Sequence, residues 1–208
     1  MKKNSLAVLN WVALIFACIS FTAIATILLT LIMYPLEIKG QHLTSYGLSA
    51  TKLNANYQQL MAYLNFPWVG KLVMSDFPTS ASGAAHFADV KRLFLLAWAL
   101  LIVTVPWALA FLGKLRQRRQ LDLLKYPAEV GALLPVAIAL IASLNFDQFF
   151  VTFHHLFFRN SNWLFDPNTD PIILVLPESF FSHCFILAFV IFEALMITGI
   201  IRARRSWR

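Results

Sequence analysis

Charge is what this sequence has least of: 13% of its 208 residues are Asp, Glu, Lys or Arg, against 59% hydrophobic, and the mean hydropathy is +0.68. A chain so poor in charge falls outside soluble globular usage and reads as an integral membrane protein. Cysteine is scarce too. Cys18 and Cys184 both lie in apolar runs, lack the paired spacing of metal ligands, and read as small buried hydrophobes. Also missing are a G-x-S-x-G elbow, an H-E-x-x-H pair, a glycine-rich phosphate loop, a heptad pattern, an internal repeat and a low-complexity tract. Serine or cysteine nucleophiles are therefore not signposted, and no stretch makes a soluble domain of independent size.

What is present is four apolar runs, each near the roughly 20 residues that a helix needs to cross a bilayer. They cover about 6–33, 90–112, 128–151 and 180–201, so residues 1–208 read as a single integral membrane domain. The third run carries Asn145, Asp147 and Gln148 near its end, which leaves 130–144 as its hydrocarbon part. Lys2-Lys3 before an apolar run, and "LIFAC" ending at Cys18, have the look of a signal sequence. Phe16 is bulky for a cleavage box, however, and the chain stays apolar through Met33, so an uncleaved anchor is expected.

Positive residues stay preferentially on the cytoplasmic side of a membrane. In a four-span chain, Lys2, Lys3, Lys114, Arg116, Arg118, Arg119, Lys125, Arg202, Arg204, Arg205 and Arg208, 11 of the 17 Lys and Arg, fall on one side. Both termini are then cytoplasmic, and the segments 34–89 and 152–179 lie outside. The net charge of +7 follows from topology and anionic lipid, with no nucleic-acid partner required. The expected fold is all-α: a four-transmembrane-helix bundle with an extracytoplasmic cap formed by the first and third loops. Within the first outer segment, "KLNANYQQLMAYLNF" places Leu53, Tyr57, Leu60, Met61 and Leu64 at helical spacing. It reads as a short amphipathic helix, lying on the membrane or capping the bundle.

All five histidines, His42, His86, His154, His155 and His183, fall on or near the outer side. His86 lies just before the second span and His154-His155 just after the third, so antiparallel helices bring both groups to one height. An imidazole there can exchange a proton near neutral pH, or it can simply bond a backbone carbonyl or lipid headgroup. For His42 and His183 the structural role leads. Asp89, three residues after His86, either orients that ring or serves as a charge at a helix N-terminus. Lys91 and Arg92 either snorkel to the interface or meet an anionic or ester oxygen. Asp166, Asp170 and Glu178 read as residues that shape their loop, and Glu193, deep in the fourth span, as neutral or paired. A metal held by His154-His155 with His86 lacks a carboxylate or thiolate at ligand spacing. Transport is disfavoured because only Glu193 is clearly polar at mid-membrane depth.

Taken in order, "HFADVK", "FHHLFF", "NWLFDPNTD" and "LPESFF" resemble the bacterial lipoprotein intramolecular transacylase family, four-span membrane proteins. The resemblance implies transfer of the sn-2 acyl chain of a diacylglyceryl lipoprotein to the α-amino group of its own N-terminal cysteine, giving the lyso form. It implies His86 and His154 as catalytic residues, with His155 at a variable position and the assignment between the pair open by one residue. His154 is expected as base and His86 as its partner, with exchangeable roles. Asp89, Tyr57, Lys91, Arg92, Asn145 and Arg159 are candidates for catalytic support or substrate binding, and nothing in the sequence selects among them. No protein nucleophile, metal or other cofactor is implied. The expected partners are a diacylated lipoprotein and membrane lipids, and the expected state is a monomer in the bacterial cell membrane with its active site at the outer face. The competing reading is a metal-binding or transport-related membrane protein.

Overall fold

A backbone surrounded by hydrocarbon has no water to satisfy its N–H and C=O groups, so an apolar run of spanning length becomes a helix. The computed structural model describes residues 2–206, with side chains from residue 6 onward. Arg208 lies outside the described residues, as do the side chains of Lys2 and Lys3. The fold is all-α, with no strand among the described residues. Its helices are α1 (Lys2–Gly40), α2 (Ala50–Asn65), α3 (Ala81–Gln117), α4 (Lys125–Leu144), α5 (Phe146–Phe157) and α6 (Glu178–Arg205). Among the described residues, four stretches are long and apolar enough to cross a membrane: Leu6–Gly40, Ala81–Gln117, Leu121–Leu144 and Glu178–Arg205. Their outward faces carry large bare hydrophobes such as Ile32, Ile102, Val130 and Leu144. A surface this apolar fits lipid rather than water.

The third run does not continue as one helix to residue 151. Asn145 interrupts it with an extended backbone, and its side-chain oxygen accepts the Gln148 N–H at 3.0 Å, which caps the start of α5. Asparagine is among the best residues for this task, since it satisfies a donor that a helix start leaves orphaned. Asn145 thus acts as a helix cap. The second apolar helix begins at Ala81, nine residues before the expected start at 90, so His86 and Asp89 are helical.

The chain divides into two compact units. The first comprises Met1–Thr26, Ala97–Leu144 and Phe185–Arg208. Its described helices meet through small residues: Ala203 and Ala128 are buried, and a Cβ placed on Gly199 would lie 3.2 Å from that of Ala128. Small side chains let membrane helices approach closely enough for dispersion to hold them. Trp11 packs edge-on against Phe111, and the Trp107 indole N–H donates to Asn10 at 2.8 Å. Glu193 Oε1 is buried and has no partner among the described residues.

The second unit comprises Ile27–Leu96 and Asn145–Cys184. The apolar face of α2 lies in its core, with Leu53, Tyr57, Leu60, Met61 and Leu64 all buried. Tyr57 stacks on Tyr34 with ring centroids 4.0 Å apart and donates its hydroxyl to Thr30 at 2.6 Å. The Tyr34 hydroxyl in turn donates to the Val175 carbonyl at 3.0 Å. Asn56, fully buried, exchanges two hydrogen bonds with Asp76, one of them with its backbone N–H, and so ties the segment after α2 back onto that helix. Lys52 donates to the same carboxylate, and these bonds hold the Asp76 carboxyl below its usual range.

Candidate active site

The site is built on the first turns of α3 and the last turn of α5. Asp170, buried and preceding the turn Pro171–Val175, accepts the Ser80 backbone N–H at 2.8 Å, while Ser80 Oγ accepts the Gly83 N–H at 2.9 Å. An anionic group at a helix N-terminus satisfies orphan donors and favours the dipole. A Cβ on Gly83 would overlap the Asp170 carboxylate, so glycine is required for this approach. Asp170 therefore fixes its loop, as expected, and with it the start of the helix that carries His86.

His86 and His154 are both buried, and their ring centroids lie 5.9 Å apart. Aromatic side chains enclose them: Phe158 packs on both rings, Phe165 sits edge-on to His86, and Phe150 lies 4.1 Å from His154. His154 Nδ1 is 2.8 Å from the Phe150 carbonyl oxygen. A carbonyl can only accept, so Nδ1 carries the hydrogen and the neutral ring keeps a lone pair on Nε2. Burial, opposed by this hydrogen bond, holds the His154 imidazolium below the usual histidine range. The ring is neutral near pH 7 and able to accept a proton. His86 Nδ1 is buried and has no partner among the described residues.

His155 is exposed and meets the edge of Trp163, 5.4 Å between centroids. It is not in the pair with His86. Asp89 does not orient His86. Its two oxygens are taken by Arg92 Nη1 at 2.6 Å and by Asn160 Nδ2 at 3.1 Å, because the i, i+3 spacing on α3 brings the guanidinium to the carboxylate. Asp89, Arg92, Arg159 and Asn160 line a cavity of about 270 Å³, with Leu93, Phe157 and Phe158 forming the rest of its wall. A second cavity, of about 210 Å³, is walled by Phe150, Phe181, Ile173, Leu176 and Pro177 and bears the carboxyl groups of Asp147 and Glu178. Each cavity thus shares with the histidine pair one of its packing phenylalanines.

Lys91 is committed elsewhere: its ammonium donates to the Phe66 carbonyl at 3.0 Å and to that of Val69, and it sits 4.4 Å over the Tyr63 ring. It closes the C-terminal end of α2. Tyr57 is likewise a core residue bonded to Thr30, and burial pushes its phenol above the usual range, so it remains a donor. His42 is exposed in a left-handed turn, and His183 Nδ1 lies 2.7 Å from Glu37. No three His, Cys, Asp or Glu side chains among the described residues converge in a metal-ligand group.

The family model of the lipoprotein intramolecular transacylase Lit matches residues 8–181. The chain belongs to the lipoprotein intramolecular transacylase family. The membrane-integral transacylase Lit of Bacillus cereus has a solved structure similar to this one, with a TM-score of 0.90 at 26% identity, covering 98% of this chain and 95% of that one. Two structures of the same Bacillus protein, with one histidine replaced by arginine or by alanine, match with TM-scores of 0.80 and 0.79, again at 26% identity and covering 99% of this chain and 93% and 95% of those chains. No curated protein sequence matches. Membership in the transacylase family makes the protein an enzyme and a multi-pass membrane protein.

Three features of the second unit of this transacylase-family chain escape sequence reasoning. Asn160, the second anchor of Asp89, is one asparagine in a polar loop. Glu37, buried and bonded by Gln41 and His183, ends an apolar run with nothing to signal a partner 146 residues away. Trp163 lies over His154 at 4.8 Å, and its indole N–H is buried with no acceptor among the described residues. Burying a donor unpartnered costs about 1–3 kcal/mol, which makes it unusual enough to require a reason.

Proposed function

We propose that this protein moves the sn-2 acyl chain of a diacylglyceryl-modified lipoprotein onto the α-amino group of the same N-terminal cysteine, leaving the lyso form. The observation that carries the reading is the buried His86–His154 pair, with His154 tautomerically fixed by the Phe150 carbonyl. Substrate amine and ester belong to one molecule, so no enzyme nucleophile is needed. Alignment alone supplies several kcal/mol as effective molarity, on the order of 7–11 for ideal geometries. The α-amine, with an ordinary pKa of about 7.7–8.0, is partly neutral at pH 7. As its nitrogen adds to the sn-2 carbonyl carbon, His154 Nε2 takes the proton that the new amide must lose. That proton passes from His154 to His86, and as the carbon–oxygen bond breaks His86 delivers it to the departing glyceryl oxygen, which leaves both imidazoles neutral as they began. Proton transfer of this kind contributes about 10²–10⁴-fold in rate.

Arg92, Arg159 and Asn160 line the cavity beside Phe158, where polar parts of the lipopeptide would lie. The positive flanks favour cytoplasmic termini and a site at the outer face, and a single chain supplies both imidazoles, which favours a monomer among membrane lipids. The test is mass spectrometry of the N-terminal lipopeptide from a diacylated lipoprotein made in cells that carry the wild type, His86→Ala, His154→Ala or His155→Ala. The wild type is expected to yield one acyl chain on nitrogen and one on the remaining glyceryl oxygen. His86→Ala and His154→Ala, present in the membrane, should lose that product by about 10²-fold or more, and His155→Ala should retain it. A wild type that leaves a diacylglyceryl lipopeptide with a free amine refutes the reading.

A further inference from the structure

The catalytic pair leaves one requirement of acyl transfer unfilled. When the amine adds, the carbonyl π electrons move onto oxygen, and an enzyme gains most by aiming a fixed donor at that oxygen in a site that excludes water. His154 Nδ1 is committed to the Phe150 carbonyl, and in the acid–base cycle its Nε2 holds the amine proton. Arg92 and Lys91 are engaged with Asp89 and with backbone carbonyls, and Arg159 lines the cavity walled by Phe157 and Phe158. One donor against the pair is uncommitted: the indole N–H of Trp163, fully buried and without an acceptor among the described residues, on a ring 4.8 Å from His154 and inclined 31° to it.

The loop around Trp163 is not short of partners in general. Asn160 donates to Asp89 and accepts the Asn162 N–H. Asp166 accepts from the backbone and side chain of Asn168, and Thr169 donates to Asp170. The loop is thus anchored on both sides of Trp163 while its central donor is left open. Tryptophan N–H is donor only, so what it lacks is an oxygen. His86 Nδ1, also buried and unpartnered among the described residues, belongs to the ring next to His154. An anchored donor and a lone ring nitrogen at one imidazole pair are what a tetrahedral intermediate would occupy.

We propose that the Trp163 indole N–H holds the sn-2 carbonyl oxygen of the substrate and stabilises the oxyanion, as a third catalytic residue. The proposal rests on the transacylase reading. Trp163 forms and breaks no covalent bond. It donates to the carbonyl oxygen as the N–C bond forms, keeps the hydrogen bond while that oxygen is negative, and weakens it as the C–O bond to the glyceryl oxygen breaks.

The test uses the full chain in detergent micelles with a synthetic diacylglyceryl-cysteine peptide, following the N-acyl product by mass spectrometry. Trp163→Phe keeps an aromatic ring against His154 and removes the N–H. Replacement of Trp163 by β-(3-benzothienyl)alanine, which puts sulfur where the N–H was, keeps the ring size and serves if the Phe variant does not fold. Loss of one oxyanion donor typically lowers kcat by about 10²–10³-fold. That loss is expected in both variants, with KM within about threefold and the acid limb of the pH profile, set by the histidines, unmoved. Variants that turn over at the wild-type kcat, or that change KM alone, overturn the role of Trp163 while the wild-type product sustains the transacylase reading. A wild type without N-acyl product overturns that reading and this proposal with it.

Discussion

The two units of the chain are held by different forces. In the described parts of Met1–Thr26, Ala97–Leu144 and Phe185–Arg208, the hydroxyls of Ser20, Thr104 and Thr198 donate to carbonyls four residues back on the same helix. Cohesion there comes from close approach at small residues and the packing of Trp11 on Phe111; the Trp107–Asn10 hydrogen bond is exposed, and the 3.9 Å ion pair of Arg204 with Glu129, largely exposed, adds little. In Ile27–Leu96 and Asn145–Cys184, side-chain hydrogen bonds run between segments far apart in sequence: Tyr34 to Val175, Ser80 to Asp170, Asn160 to Asp89, His183 to Glu37. Dispersion at small residues tolerates adjustment. A directed hydrogen bond to a buried group does not, and a site that needs two imidazoles in fixed geometry is found where such bonds are dense.

Paired substitutions make this comparison testable. The largest effect is expected for Gly83→Ala, which drives a methyl group into the Asp170 carboxylate and dislodges it from the Ser80 N–H. Overpacking at about 1–3 kcal/mol and a broken buried hydrogen bond at about 1–3 kcal/mol predict a fall in melting temperature of roughly 5–15 °C in detergent. Activity should fall with it, since α3 carries His86. Next is Tyr34→Phe, which strips the Val175 carbonyl of its donor deep in the core; chemical denaturation should read a loss of about 1–3 kcal/mol.

A pH effect of intermediate size belongs to His154. Its folded-state pKa is lowered, so the native state binds the proton less readily than the unfolded chain. Its stabilising share is fully present above the unfolded value of about 6.5 and is lost as pH falls from there toward the folded pKa, with a slope of at most about 1.4 kcal/mol per pH unit. Thermal unfolding at pH 7.5, 6.5 and 5.5 should show this decline, His154→Gln should flatten it, and the acid limb of kcat should lie below pH 6.5. An acid limb above pH 7 would contradict a buried neutral His154.

The smallest effect is expected for Gly131→Ala in the first unit. The new methyl meets only the thioether of Met196, an unbranched side chain that swings aside, and the gain in helix propensity offsets the contact. A change within about 1 kcal/mol of wild type is expected. If Gly131→Ala destabilises as much as Gly83→Ala, the distinction between the two units fails.

Much of this architecture is legible without coordinates. Four apolar runs can only be helices in hydrocarbon, and the five apolar positions of α2 report their burial through periodicity. Asn145 was harder to read, because Phe146, Phe149, Phe150 and Val151 keep the run apolar after the break. Its capping role appears only once the backbone turns extended. Asp89 shows the limit of local spacing: a carboxylate three residues from both His86 and Arg92 has two suitors at equal separation, and the cation, able to offer charge as well as a hydrogen bond, is the one it meets.

The doubled histidine divides the two kinds of information most clearly. Composition and span length by themselves determined the apolar helices and the expectation that His86 and the His154-His155 pair come to one height, because hydrophobic transfer and backbone hydrogen bonding are short-range or additive properties of a chain. Neighbouring residues on a helix point about 100° apart, so only one of His154 and His155 can turn inward. Which one does depends on the rotation of α5 about its axis, set by the packing of Phe150 against Phe181 and of Phe158 against His86. Those contacts join residues from different parts of the chain. Only the tertiary structure decided that His154 meets His86 and that Trp163 closes over it with an N–H that finds no acceptor among the described residues.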